Sequence, residues 1–437
     1  MSKPKSRIEI EHEKIQKRKR MEAQDKRERH DRIEIDDNND DEIIPRVSKN
    51  HAETDEFERK MREKAIRRNG ELKTKYDGYD KAKIALSVIF KLGVVAVIAF
   101  MVVMYGPWGG FREWLITTAM TTMHHQYFAT WFFDPDVITE TLEKNKVELR
   151  DDTTDTSLVD TTTDTQVTEY ASEYERQILE RDPKNNDYKI IPLKDKNFTG
   201  YMVAVYEPRR LKVAVTSKLG VTGEYVTKMA EDHDALIAIN GGGFVDNASY
   251  SGNGETPMGL SIVDGDVVGP NAKPYWAGLI GFDDDDKLVL GNLTTAQAQA
   301  QGIRDALTFG PFLLINGEPS DIKGDGGWGN APRTAIGQRA DGIVLLMVVE
   351  GRKAGQIGAT IRDELEIMQL YGAVNAANLD GGTSSVLVVG TTIVNDPIDS
   401  AFAHKTRPIS SCFYLEKDES DDSDHHIVQS KLDKTQE

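Results

Sequence analysis

Apolar and polar positions divide the chain into an unbroken apolar run, a short-period stretch and charged flanks. From Ile84 to Tyr105 it reads IALSVIFKLGVVAVIAFMVVMY, 22 residues with one charge, Lys91. As a helix this crosses a hydrocarbon core of about 30 Å. Lys91 lies early in the run, where its stem can carry the charge back toward the N-terminal side. The run begins too deep in the chain, without a small-residue cleavage site, to be a removable signal peptide. GPWGG then breaks the helix, and the aromatic-rich stretch Phe111–Phe133 follows. It carries too many Thr, His and Gln for a second span. The pattern predicts an interfacial helix within 106–135, with Trp114, Trp131, Phe132 and Phe133 at headgroup level. His124 and His125 are adjacent and do not share a helix face, so they are not read as a metal pair.

From Tyr188 the period shortens. Runs such as YMVAVYE, KVAVTS, ALIAING, GIVLLMVVEG, SVLVVG and SSCFYLE alternate with Gly, Asn, Asp and Pro turns, the signature of strands. Two stretches read as helix, 223–235 and 360–373; in the second, Ile361, Leu365, Ile367 and Met368 make an apolar face that Gly372 ends. The expected fold is an α+β domain over 184–416, a multi-stranded mixed sheet with few helices, tethered by a single N-terminal transmembrane helix. Residues 136–183, acidic and Thr-rich, are expected to form an extended, self-repelling spacer. The acidic tail 417–437 is expected to be disordered.

Charge orients the chain. Nine Lys and Arg lie between Lys60 and Lys83, whereas only Arg112 precedes Lys144 on the far side. The positive-inside rule places tail 1–83 in the cytoplasm and everything after 106 outside. That tail has 24 Lys and Arg against 21 Asp and Glu, while the whole chain has net charge −18. This balance gives no support to a nucleic-acid partner, and the basic residues beside the span suit anionic lipid. One cysteine, Cys412, excludes an internal disulfide and a Cys-rich zinc site; flanked by apolar residues, it reads as core. The motifs Asn197, Asn247 and Asn292 matter only in a host that glycosylates.

Candidate chemistry gathers at strand ends. Asn240, Gly241 and Gly242 follow the strand ALIAI; Asp380, Gly381, Gly382 and Ser384 follow AANL; Arg333 and Thr334 open a strand, and Glu350 closes the most apolar one. Side chains there are presented by a rigid scaffold, and glycine permits close approach. Each Gly turn taken alone is also simply a turn. There is no P-loop, dinucleotide fingerprint or nucleophile elbow. Asp283–Asp286 read as a hairpin loop rather than a calcium loop. The stretch 321–330 is a Gly-rich connection or a lid, with Trp328 as a face for sugar stacking.

Taken together, INGGGF, SIVDGDVVG, TFGPFLLINGE, NAPRTAIGQ, LLMVVEGR and DELEIMQLYGAVNAANLDGGTSS resemble the phosphodiester glycosidase family. Its best-known member is N-acetylglucosamine-1-phosphodiester α-N-acetylglucosaminidase. The resemblance covers about 200–416 and implies hydrolysis of the bond between a sugar's anomeric carbon and a phosphodiester. Matching family positions are Asn240 with its glycines, Arg333, Thr334, Glu350, Asp363, Glu366 and Asp380–Gly382 with Ser384. This chain departs from the usual pattern with NGGGF for NGGFF, Thr383 for a third glycine and Glu350 for Asp. Glycosyl transfer usually employs two carboxyl groups. Asp380 is expected as base or nucleophile, Glu350 as second carboxylate and Arg333 as phosphate partner. Asn240, Thr334 and Ser384 would orient the substrate. Asp363 and Glu366 would either buttress Arg333 or form a solvated, capping face. No cofactor is required by the sequence, and metal ligands are unassigned: a divalent cation near Asp380 and Glu350 is conceivable, yet no His/Cys cluster demands one. The anchor resembles that of Gram-positive surface members associated with exopolysaccharide, pointing to a single-pass cell-membrane protein with its domain outside. An inactive module binding glycans or teichoic acid, and a membrane scaffold, remain alternatives.

Overall fold

The structure, a computed structural model, describes residues 51–107, 109–121, 125–162, 169–245, 252–269 and 278–418. The expectations for residues 1–50, His124, Asn247 and the tail beyond 418 fall outside them. The chain divides into two compact units, Met1–Ala96 and Val97–Glu437. In the first, the described residues belong to α1 (His51–Tyr105), a continuous helix. Among the described residues it is the one helix long and apolar enough to cross a membrane.

The second unit continues with α2 (Gly109–Thr121), α3 (Tyr127–Thr130), α4 (Pro135–Lys144) and α5 (Glu173–Leu179). The strands of the domain are β1 (Tyr188–Lys194), β2 (Thr199–Val205), β3 (Leu211–Val215), β4 (Ala235–Asn240), β5 (Ser261–Val263), β6 (Asp266–Val268), β7 (Gly278–Asp283), β8 (Leu288–Gly291), β9 (Ile303–Phe309), β10 (Phe312–Ile315) and β11 (Glu318–Pro319). They continue with β12 (Arg333–Arg339), β13 (Val344–Val349), β14 (Ala373–Asn378), β15 (Leu387–Val389), β16 (Thr392–Ile393) and β17 (Ser411–Glu416). Helices α6 (Val226–Asp232), α7 (Thr295–Ala300) and α8 (Ile361–Leu370) complete it. Both stretches read as helix thus hold one.

Three sheets form, ordered β1-β2-β13-β12-β14-β10-β11, β16-β15-β4-β17-β3 and β6-β5-β9-β7-β8. Every ladder among the described residues is antiparallel. The α+β class therefore holds, but the sheets are antiparallel rather than mixed. Parallel neighbours need crossovers of a dozen residues or more, usually helical, and this domain has few helices.

The seven-stranded sheet is covered on both faces. Alternate residues of β2 and β13 point into different cores: Val203, Leu346 and Val348 meet Phe282, Ile239 and Phe413 from the other sheets, while Met202, Leu345 and Met347 meet Ile361, Leu365 and Met368 of α8. Burial on both sides is why β13 reads VLLMVV without polar alternation. At this edge-free centre, β12, β13 and β14 end level with one another.

The acidic spacer is not extended away from the domain. Val147 bridges Ile322, the Thr154 N–H donates to the Leu290 carbonyl (3.0 Å), and the Leu290 N–H donates to Thr154 Oγ1 (2.9 Å). Farther on, the Asp160 N–H reaches the Ala340 carbonyl (2.9 Å). Residues 145–161 thus run as a strap along the domain. The physical reason is that β8 is an edge strand, and its exposed backbone groups accept a covering segment; Thr hydroxyls supply the extra partners.

The region expected to be only interfacial likewise docks on the domain. Thr117 of α2 donates through Oγ1 to Asp325 Oδ2 (2.6 Å), Ile116 and Ala119 pack against Met104, Ala129 and Ile138, and Phe111, Phe128 of α3 and Trp131 remain exposed.

Candidate functional site

Antiparallel pairing of β12 with β14 sets Ala335 against Asn378. Continuing that register brings Arg333 level with Asp380, so two residues 47 positions apart in sequence share one sheet end. The second sheet contributes Asn240, the last residue of β4. Its Nδ2 donates to the Asp380 carbonyl, and its Oδ1 accepts from Thr334 Oγ1 (2.8 Å) and the Val386 N–H (3.1 Å). Asn240 is fully buried and its amide is committed to protein. It joins the loop after β14 to the start of β12, and Thr334 is its partner.

The glycines after Asn240 serve packing. A Cβ on Gly241 would come within 2.5 Å of Leu307 Cδ1, and one on Gly242 within 2.8 Å of the Thr308 carbonyl. The backbone approaches β9 rather than leaving space for a ligand. Gly241 still positions the site, because its carbonyl accepts the Asp380 N–H (3.1 Å).

Arg333 is 3% exposed. Its Nε donates to the Ala359 carbonyl (3.1 Å), and its Nη2 to the carbonyls of Trp328 and Gly329 (2.8 Å each). The guanidinium also lies 5.7 Å from the centre of the Trp328 ring. Nη1 is the nitrogen that makes no hydrogen bond among the described residues, and it lies 3.9 Å from where a Gly381 Cβ would stand. Burial pulls this guanidinium below its usual range, opposed by Glu364, Asp325 and Asp363.

Arg352 reaches the other flank of the same loop. Its Nη1 donates to Thr383 Oγ1 (2.9 Å) and the Ile398 carbonyl (2.8 Å). Its Nη2 lies 3.0 Å from where a Gly382 Cβ would stand, and Gly382 has φ +64, a conformation that favours glycine. Arg352 itself holds φ +61, a conformation costing a non-glycine residue about 1–2 kcal/mol. Burial lowers its pKa, Asp399 opposes this, and Arg333 adds to it. The loop Asp380–Ser384 is therefore clasped between two guanidiniums close enough to repel each other. Thr383, standing where a glycine is usual in the family pattern, supplies the hydroxyl that fixes Arg352. Ser384 is buried in the short turn Gly382–Ser384.

Glu350 is at the same sheet end. Its Oε2 accepts from Thr199 Oγ1 (2.8 Å) and Lys353 Nζ (2.9 Å), and its Oε1 from the Asp396 N–H (2.7 Å). Both oxygens are occupied in holding loops together, and the role of second carboxylate finds no geometric support. Asp363 closes the capping box of α8, accepting from the Thr360 N–H (2.7 Å) and Oγ1 (2.8 Å). Glu366 is exposed. Trp328 packs edge-on to Phe309, ring centres 6.2 Å apart, and serves as Arg333's mount. Among the described residues no group of three or more His, Cys, Asp or Glu is disposed to hold a metal ion.

Two residues escaped the sequence reading. Glu364 is fully buried, neither carboxyl oxygen has a hydrogen-bond partner, and burial pushes its carboxyl up to about 8 against the pull of Arg333. Its signal was present: Glu364 follows Ile361 by three and precedes Met368 by four, on the apolar face of α8. Arg352 carried a weaker signal, as the cation three residues beyond a buried strand.

Comparison with known proteins follows the domain. Residues 233–416 match the model of the phosphodiester glycosidase family, the family the motifs resemble. The SPbeta prophage-derived uncharacterized protein YomE of Bacillus subtilis (strain 168) is 31% identical over 194 residues, 42% of this chain and 29% of that protein. This chain therefore spans under a third of that relative's length. The zebrafish N-acetylglucosamine-1-phosphodiester alpha-N-acetylglucosaminidase catalytic domain, auto-inhibited by its pro-peptide, aligns with TM-score 0.45 and 21% identity over 54% of this chain and 86% of that one. A putative exported protein from Burkholderia pseudomallei K96243 aligns with TM-score 0.39 and 18% identity over 50% and 74%.

Proposed function

We propose that this chain, whose residues 233–416 carry a phosphodiester glycosidase domain, hydrolyses the glycosidic bond of a sugar-1-phosphodiester at the loop Asp380–Ser384. The observation that carries the reading is the clasp of Arg333 and Arg352 around that loop, in which Asp380 Oδ1 accepts the Gly381 N–H (3.0 Å). In the transition state the anomeric carbon gains positive character while negative charge collects on the departing phosphodiester. Arg333 Nη1 and Arg352 Nη2 supply donors and charge to that phosphate in a preorganised, water-poor setting. A phosphodiester leaves readily without a general acid, so one carboxylate, Asp380, suffices to activate water or attack the anomeric carbon. Asn240 and Thr334 act as positioning residues, since they hold the Asp380 backbone. The remainder of the reading places α1 across the cell membrane with its N-terminus inside and the domain acting on surface or exopolysaccharide glycans.

The test is turnover. The full chain and its Asp380→Asn variant would be given α- and β-sugar-1-phosphodiesters, with free reducing sugar followed with and without EDTA. Release by wild type is expected, falling at least about 100-fold in the variant. Absence of release from every substrate, by folded protein, would overturn the reading. Retained glycan binding would then indicate a binding module.

A further inference from the structure

Helix α2 has two working faces. On one, Thr117 Oγ1 donates to Asp325 Oδ2 (2.6 Å), Thr121 Oγ1 to the Trp328 carbonyl (3.1 Å) and Trp114 Nε1 to Asn330 Oδ1 (3.0 Å). Gly329 lies so close that a Cβ there would come within 2.4 Å of Thr118 Cα. The carbonyls of Trp328 and Gly329 are the ones that receive Arg333 Nη2. This face therefore forms the outer wall of the Arg333 mount.

On the other face, Phe111 and Leu115 join Phe100 and Val103 from the end of α1, with Phe128 and Phe132, around an open cavity of about 450 Å³. Every residue lining it is apolar, and the volume lies in the range of ligand pockets, about 300–1,000 Å³. Phe111 is 43% and Phe128 44% exposed, an apolar surface that water does not favour. The α1 residues of the cavity belong to the final turns of the apolar run Ile84–Tyr105. A run that crosses a bilayer would bring the cavity to the edge of the hydrocarbon layer. One helix, about 10 Å across, separates it from the Arg333 mount.

We infer that this cavity receives the hydrocarbon chain of a lipid-linked sugar-1-phosphodiester, so that substrate is drawn from the membrane. The inference rests on the hydrolase reading above and names its substrate class. With the chain in the cavity, the phosphodiester end would extend past α2 toward the Arg333 mount that this helix walls on its other face. The bond between the anomeric carbon and the phosphate oxygen breaks, its electron pair leaving on that oxygen. Water's oxygen bonds to the anomeric carbon, and the proton released goes to the lipid phosphate monoester. The products are free sugar and lipid phosphate.

The experiment uses the full chain in lipid nanodiscs with one sugar 1-phosphodiester made as its methyl and its hexadecyl ester. Wild type is expected to favour the hexadecyl ester at least about tenfold in kcat/KM. Phe111→Gln and Phe128→Gln should each remove most of that preference and leave methyl-ester turnover unchanged. Partition of the long chain into the bilayer is common to all three proteins, so the comparison isolates the cavity. A preference that is absent, or undiminished in both variants, overturns the inference. Inhibition of wild-type methyl-ester turnover by hexadecyl against methyl phosphate provides a readout independent of the variants: about tenfold stronger inhibition by the longer ester supports the cavity, and equal inhibition overturns it. Failure of wild type to hydrolyse even the methyl ester overturns the hydrolase reading, and this inference with it.

Discussion

Trp328 holds Arg333 twice, by its carbonyl, which accepts from Nη2 at 2.8 Å, and by its ring, whose centre is 5.7 Å from the guanidinium. Removing the ring leaves the carbonyl contact and loses the cation–π attraction, worth about 0.5–2 kcal/mol. Trp328→Ala is therefore expected to lower kcat/KM about 3–30-fold. Trp328→Phe should recover most of the loss, which steady-state kinetics on a sugar-1-phosphodiester would measure. Equal loss in both variants would argue against the ring as Arg333's mount.

Arg352 and Arg333 would share the phosphate charge, and only Arg352 is tied to Thr383. Arg352→Gln is expected to reduce kcat/KM about 10–100-fold, while Thr383→Val, which keeps the charge and loses one hydrogen bond, should reduce it less than tenfold. Rates near wild type in Arg352→Gln would remove this arginine from the phosphate site.

Asn240 is a structural part of the site. Asn240→Ala leaves the Thr334 hydroxyl, the Val386 N–H and the Asp380 carbonyl without their partner in a buried place. A loss of about 3–5 kcal/mol in stability follows from three such bonds. Thr334→Val should lose about 1 kcal/mol. Thermal unfolding of the two variants beside wild type tests the ranking.

Glu364 makes stability depend on pH. Its folded pKa of about 8 lies above the ordinary 4.5, so the folded protein holds a proton that the unfolded chain releases. The contribution is fully present below about 4.5 and is lost as pH rises through about 8. Glu364→Gln keeps the shape and cannot ionise. Its Tm is expected to gain on wild type by several degrees between pH 5 and 9, with little difference at the acid end. A Tm difference that stays constant with pH would show that Glu364 does not titrate in this window.

Of the candidate site, the strand-end positions were legible locally. Asn240 and Glu350 follow apolar runs, and Arg333 and Asp380 border short runs that mix apolar and polar residues; the structure places Asn240 and Arg333 at strand termini and Glu350 and Asp380 one and two residues past them. Their partners were not legible. Glu350 and Asp380 look alike as acids after apolar runs, yet Glu350 binds Thr199, Lys353 and the Asp396 backbone, all remote in sequence from Asp380. Asp363 and Glu366 stood out as acids on a helix; the acid that acts most strongly on Arg333, ahead of Asp325 and Asp363, is Glu364, concealed in the apolar stripe because burial of a carboxyl runs against its composition. The strap over 145–161 was unreadable for a related reason: its Thr and Asp side chains look solvated until an edge strand offers them backbone partners.

By itself the sequence determined whatever depends on neighbours along the chain. This includes the apolar length of Ile84–Tyr105, the unbroken run of β13, the helical stripe of α8 and the glycine turns after Asn240 and Asp380, because periodicity and backbone freedom are properties of a few consecutive residues. The tertiary structure alone decided which side chains meet: Arg333 with Trp328 and Glu364, Arg352 with Thr383, Asn240 with Thr334, and α2 with the Arg333 mount. Those meetings depend on the register between antiparallel strands and on the packing of elements that lie far apart in sequence; a shift of one residue in register would turn Arg333, Thr334 or Asn240 to the opposite face of its sheet.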